Sequence, residues 1–140
     1  MFFKLNLCTP RALIGSFSVS HIHTPADGGY IGIGLNHAPF VTRLRPGILG
    51  FNTEKKERKD YYVSGGLVQV ANNVADVLVE DAESFSEIDR DRAEAAEKRA
   101  LERLHRRDLT EPVDIDRALA ALERARSRIW FIEKLKERKI

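Results

Sequence analysis

At 140 residues and 15.9 kDa, with 43% hydrophobic and 31% charged residues, the chain has globular composition and room for one or two small domains, which excludes a collagen, a disulfide scaffold or a transporter. The 23 Lys and Arg nearly balance 21 Asp and Glu, so the strong basic excess of a dedicated nucleic-acid binder is absent. A single cysteine, Cys8, cannot form an internal disulfide or a CxxC motif, and it reads as a small strand residue in a reducing compartment.

Met1, Phe2 and Phe3 are interrupted by Lys4, Asn6 and Arg11, so no signal-peptide core forms, and no run of about 18 apolar residues follows to cross a bilayer. Short alternating runs then appear between turn signals. Phe3, Leu5 and Leu7 come first, then Phe17 and Val19 before Asp27-Gly28-Gly29, then residues 40–44 before Pro46-Gly47. Further on, Tyr61 to Ser64 precedes Gly65-Gly66, Leu67 to Val70 follows, and Asn72-Asn73 separates that run from Val74 to Val79. The pattern predicts two consecutive hairpins. No helical period is sustained, so residues 1–84 are expected to form an antiparallel β-sandwich or barrel.

All 9 glycines lie before Ser84, whereas residues 84–140 carry 28 of the charges and only one proline, Pro112. This second part, taken as residues 85–140, reads as solvated helix. Ser86 is placed to accept hydrogen bonds from the amides of a helix start, with Glu87, Asp89 and Asp91 at the positive end of its dipole. The apolar stripe Ile88, Ala93, Ala96, Ala100 and Leu104 is mostly alanine, which permits close approach of another helix. Thr110-Glu111-Pro112 ends the pattern. From about Ile115 a second stripe runs through Ala118, Leu122, Ala125, Ile129 and Ile132, and the pair predicts an antiparallel helical hairpin.

Two motifs fail on chemistry. His21 and His23 share one strand face, but two ligands do not make a metal site and none is expected. Gly32-Ile33-Gly34 begins like a dinucleotide fingerprint, yet His37 takes the third glycine's place and Pro39 opposes the helix that would hold a pyrophosphate. No nucleophile elbow, HExxH or phosphate-loop lysine is present, so the chain is read as non-catalytic. A more pointed signal is Ile88-Asp89-Arg90-Asp91-Arg92-Ala93 with Arg99, and then Arg124 and Arg128. Seven- and four-residue spacings keep each arginine pair near one helix face, where an antiparallel hairpin could gather them round a polyanion. A solvated face is the alternative, with Asp89 paired to Arg92 and with Glu123 and other acids diluting the charge.

Taken together, Thr9-Pro10, His37-Ala38-Pro39 with Leu44 and Pro46-Gly47, Val63-Ser64-Gly65-Gly66, Ile88-Asp89 with Arg92-Ala93, and Leu122-Glu123-Arg124-Ala125 with Arg128 have a specific order and spacing. On them the chain resembles the epsilon subunits of bacterial and chloroplast F-type ATP synthases over essentially its full length. The resemblance implies a β-sandwich that binds gamma and the membrane c-ring, and a two-helix hairpin that either folds back or extends along gamma into the alpha/beta head to block ATP hydrolysis. It implies no required cofactor and ATP as a regulatory ligand, with Glu83, Ile88, Asp89, Arg92, Ala93, Arg99, Arg124 and Arg128 at the family's nucleotide positions. His37, Ala38 and Pro39 would lie in the c-ring-facing loop. The implied location is peripheral, on the cytoplasmic face of a bacterial inner membrane in preference to a thylakoid, with membrane association through the complex and no nucleic-acid partner. Where the family usually has Leu-Pro-Gly before His-Ala-Pro, this chain has Gly34, Leu35 and Asn36, and Asn36 can adopt the left-handed conformation that a glycine would supply. The rival function is a free-standing adaptor whose arginine-rich helices grip RNA or an acidic protein.

Overall fold

The structure, a computed structural model, describes residues 1–84, 87–105 and 115–138, with residues 137 and 138 described by their backbone alone. The expected helix start at Ser86 and the link through Thr110-Glu111-Pro112 lie outside the described residues. The chain divides into two compact units, Met1–Ser84 and Phe85–Ile140.

In the first unit nine strands are described: β1 (Phe3–Cys8), β2 (Leu13–Ala26), β3 (Gly29–Gly34), β4 (Phe40–Leu44), β5 (Gly47–Thr53), β6 (Arg58–Val63), β7 (Gly66–Ala71), β8 (Val74–Val79) and β9 (Ala82–Ser84). They hydrogen-bond in the order β4-β7-β8-β1-β2-β5-β6-β9, with β3 also on β2. The long strand β2 serves both layers of the sandwich. Its first half pairs with β1, its second half with β3 and β5, and the register shifts between Val19 and His21 where the ladder changes hands. Alternation turns Phe3, Leu5 and Leu7 of β1 and Ala75, Val77 and Val79 of β8 inward, where they meet Val19, Ile22, Ile33, Leu49, Phe51, Val63 and Val68 in one core. Every described member of that core belongs to this unit.

Tight turns follow their chemistry. β2 and β3 close through Asp27-Gly28, with Ala26 opposite Gly29. β7 and β8 close through Asn72-Asn73, both left-handed at φ 51° and 60°, the conformation of a type I′ hairpin. The other expected hairpin is not formed. β6 pairs with β5 and β9, whereas β7 pairs with β4 and β8, so Ser64-Gly65 carries the chain from one ladder to another. Glycine is needed here for a different reason from a hairpin turn: Gly66 has φ 156°, and a Cβ on it would collide with the Leu78 carbonyl oxygen. Strands β3, β5 and β9 carried no alternating signal. Residues 47–51 of β5 are buried without interruption, so their apolar run has no period of two to read. One described pairing, β1 with β8, is parallel.

The second unit has α1 (Arg90–His105) and α2 (Ile115–Arg138). They run antiparallel, since Arg90 Nη2 donates to Glu133 Oε1 and Arg126 Nε to Glu97 Oε2, each at 3.2 Å. Ala93 and Ala100 are buried on α1, and Ala118, Leu122, Ala125, Phe131, Ile132 and Leu135 on α2. The second stripe therefore starts later and ends later than its period suggested: Ile115 is 46% exposed, whereas Phe131 and Leu135 are buried.

Candidate functional site

The start of α1 is set by Asp89. Its Oδ1 accepts the Arg92 N–H at 3.1 Å and its carbonyl accepts the Ala93 N–H at 3.0 Å, which makes it the N-cap of a helix that begins at Arg90. Asp89 thus meets Arg92 through the backbone amide and not through the guanidinium. Ile88, half-buried, precedes the cap, and Ala93 faces inward. The motif is, first of all, a helix start.

Two flanks of the helix pair differ in how their charge is used. On one, Arg90 bonds Glu94 at 3.0 Å and Glu133, and Arg126 bonds Glu97. The hydrogen bond to Glu94, helped by the charges of both glutamates, raises the Arg90 pKa above its usual value. A raised base loses its contribution only as pH climbs through the folded value, so this contact persists until strong alkali. At 100° per residue, Arg92 and Arg99 lie about half a turn round α1 from Arg90 and Glu97, and Arg124 and Arg128 about half a turn round α2 from Arg126 and Glu133. Because the helices are antiparallel, both arginine pairs fall on the opposite flank from the ion pairs. The Arg90–Glu133 and Glu97–Arg126 contacts also fix the register, which sets Arg99 level with Arg124 and spreads the four arginines over about 10 Å of axis at about 1.5 Å per residue.

Arg92, Arg99 and Arg124 are exposed and Arg128 is half-buried. No ion pair among the described residues engages the guanidinium of Arg92, Arg99 or Arg124, and Arg128 is engaged in an interaction of its own. Such a flank presents planar, permanently charged donors to an anion. Glu83 belongs to the sandwich unit, in β9 opposite Tyr62, half-buried and itself engaged.

The loop between β3 and β4 is the second candidate. His37, Ala38 and Pro39 are exposed there. The His37 Nδ1–H donates to the Ala38 carbonyl at 2.8 Å, and the ring tilts against Phe40 at 4.7 Å between centroids. Asn36 is left-handed at φ 60°, the conformation expected of it. Its N–H donates to Asn73 Oδ1 at 2.8 Å, and Asn73 Nδ2 donates back to Asn36 Oδ1 at 3.2 Å. Sequence reasoning saw Asn73 only as a turn residue, because partners 37 residues apart leave no local signal.

His21 and His23 are exposed on one face of β2 with ring centroids 6.3 Å apart, and no group of three or more His, Cys, Asp or Glu fit to hold a metal occurs among the described residues. Residues 32–34 form part of strand β3, not a phosphate-binding turn. No helix among the described residues is long and apolar enough to cross a membrane.

The chain thus joins a unit of β-strands to a unit of two paired helices, and family models with the same two parts match it. The description "ATP synthase, Delta/Epsilon chain, beta-sandwich domain" matches residues 2–85, and "ATP synthase, Delta/Epsilon chain, long alpha-helix domain" matches residues 86–133. The chain belongs to the ATP synthase delta/epsilon family. It is 39% identical over 132 residues to the ATP synthase epsilon chain of Syntrophomonas wolfei, covering 94% of this chain and 95% of that one. The epsilon chain of Clostridium novyi is 38% identical over 93% of this chain and 97% of its own. A chain in the Euglena gracilis mitochondrial ATP synthase structure shares the fold, with a TM-score of 0.71 at 23% identity over 99% of this chain and 82% of that one.

Proposed function

We propose that the chain is the non-catalytic central-stalk subunit of an F-type ATP synthase, coupling the rotor to the c-ring through its sandwich and restraining ATP hydrolysis through its helices. The observation that carries this reading is that both units, sandwich and helices, match epsilon chains in one continuous stretch. The sandwich binds gamma and presents the loop around His37, Ala38 and Pro39 to the c-ring. The helices act by position: extended along gamma into the alpha/beta head, they obstruct the rotation that hydrolysis requires. The subunit sits on the cytoplasmic face of a bacterial inner membrane and is held there by the complex.

ATP is its regulatory ligand. A nucleotide triphosphate fits the flank of Arg92, Arg99, Arg124 and Arg128, where charge-assisted hydrogen bonds to phosphate would offset the repulsion among the arginines. Because this site takes residues from both helices, ATP favours the state in which they are paired.

The deciding measurement is ATP hydrolysis and ATP synthesis by the assembled enzyme with the full chain and with a chain ending at Ser84. Truncation is expected to raise hydrolysis several-fold while synthesis continues. Unchanged hydrolysis removes the inhibitory role, and loss of assembly with gamma removes the division of labour between the units.

A further inference from the structure

We propose that Asn73 is a positioning residue for the exposed loop at residues 35–39, clasping it through Asn36 in the geometry that meets the partner. This inference rests on the reading that the loop faces the c-ring.

The turn between β7 and β8 supplies its own comparison. Asn72 and Asn73 are both left-handed, which is all that a type I′ turn asks of them. The Asn72 side chain makes no hydrogen bond among the described residues. Asn73, by contrast, joins three segments that are far apart in sequence. Its carbonyl accepts the Lys4 N–H at 3.1 Å at the start of β1. Its Oδ1 accepts the Asn36 N–H at 2.8 Å, and its Nδ2 donates to Asn36 Oδ1 at 3.2 Å. The side chain is therefore surplus to the turn and committed to the loop.

The commitment falls at the position that most needs it. The loop leaves β3 at Gly34 and enters β4 at Phe40, and its five residues have no ladder of their own. Asn36 is its left-handed corner, and the next three residues, His37, Ala38 and Pro39, project from that corner into solvent. A backbone amide and a side-chain amide bound reciprocally hold both the position and the rotation of the corner. β1, to which Asn73 is also tied, lies in the middle of the sheet order, so the loop takes its reference from a rigid part of the fold. Ordering the loop in advance removes an entropic cost that binding would otherwise carry, and this appears mainly as slower dissociation.

The test uses full-length protein. Asn73→Gly keeps the left-handed turn while deleting the side chain, and Asn72→Gly is the matched control. Hydrogen exchange of the Asn36 amide by NMR reads the clasp directly: Asn73→Gly is expected to accelerate it about tenfold, and Asn73→Asp, which retains the acceptor, to restore most of the protection. In binding to a purified gamma/c-ring assembly, Asn73→Gly and Asn36→Gly are each expected to weaken affinity about three- to tenfold, the double variant no more than either, and Asn72→Gly not at all. Wild-type exchange in Asn73→Gly, or losses that multiply in the double variant, overturns the proposal. His37→Asp separates the two levels of inference. If it weakens binding while Asn73→Gly does not, the clasp fails alone. If it leaves binding unchanged, the loop does not meet the c-ring and the reading beneath the proposal fails, along with the positioning role.

Discussion

Asp89 shows how one residue can satisfy a sequence motif for a structural reason. Its carboxylate accepts the Arg92 N–H, one of the amides that an α-helix leaves without an internal partner. Removing such a cap costs about 1 kcal/mol. Asp89→Ala is therefore expected to lower the stability of the helical unit by about that amount, and Asp89→Ser to recover most of it, because serine also caps. Thermal melts followed by far-UV circular dichroism decide it. Equal melting of Asp89→Ala and wild type would leave Asp89 free for ligand contact alone. Gly66 makes the complementary point, since what forbids a side chain there is the Leu78 carbonyl on the neighbouring strand, which no local reading reveals.

Among the elements, α1 and α2 separate their arginines by use. Arg90 and Arg126 are held by glutamates across the pair, while Arg92, Arg99 and Arg124 on the other flank are left without ion pairs among the described residues. This asymmetry yields a prediction that a uniformly solvated face does not make. A hydrogen bond to a charged group is worth about 1.5 to 3 kcal/mol, so Arg92→Ala or Arg124→Ala should weaken ATP binding roughly ten- to a hundredfold. Arg126→Ala, on the ion-paired flank, should change it little. Calorimetry on the isolated subunit reads the difference: equal losses for Arg124→Ala and Arg126→Ala, or no heat at millimolar ATP, would return the flank to solvent.

On the scale of the whole molecule, the two units differ in what stabilises them. Among the described residues, the sandwich core draws its buried members from residues 3–79, with β1 near the middle of the sheet order and β2 shared between layers. A fragment of residues 1–84 is accordingly expected to fold alone and to unfold in a single cooperative transition, while a fragment of residues 85–140 gains less, since among its described residues eight hydrophobic side chains are buried and four of them are alanines. Denaturant titration of both fragments checks this. A sandwich fragment without a cooperative transition would show that the helices contribute to its core.

Composition and period were enough to divide the chain into strands and helices, because alternation and 3.6-residue stripes are local consequences of which side of an element is buried. The Asn72-Asn73 hairpin was legible for the same reason, because positive φ is a demand on single residues, and Asp27-Gly28-Gly29 marked a turn in which Gly29 is the residue with positive φ. Strand β5 was not legible, since burial without interruption erases the alternation that marks a strand. The route through Ser64 and Gly65 was misread as a hairpin, because a glycine pair announces a change of direction but not which ladder the chain joins next. The arginines could be named from spacing and resemblance, but their separation from the ion-paired flank depends on the register between two helices. The clasp from Asn73 to Asn36 lay beyond any sequence pattern. Local conformational preference is written residue by residue, whereas pairing across long separations is decided only when the sheet closes and brings those residues within hydrogen-bonding distance.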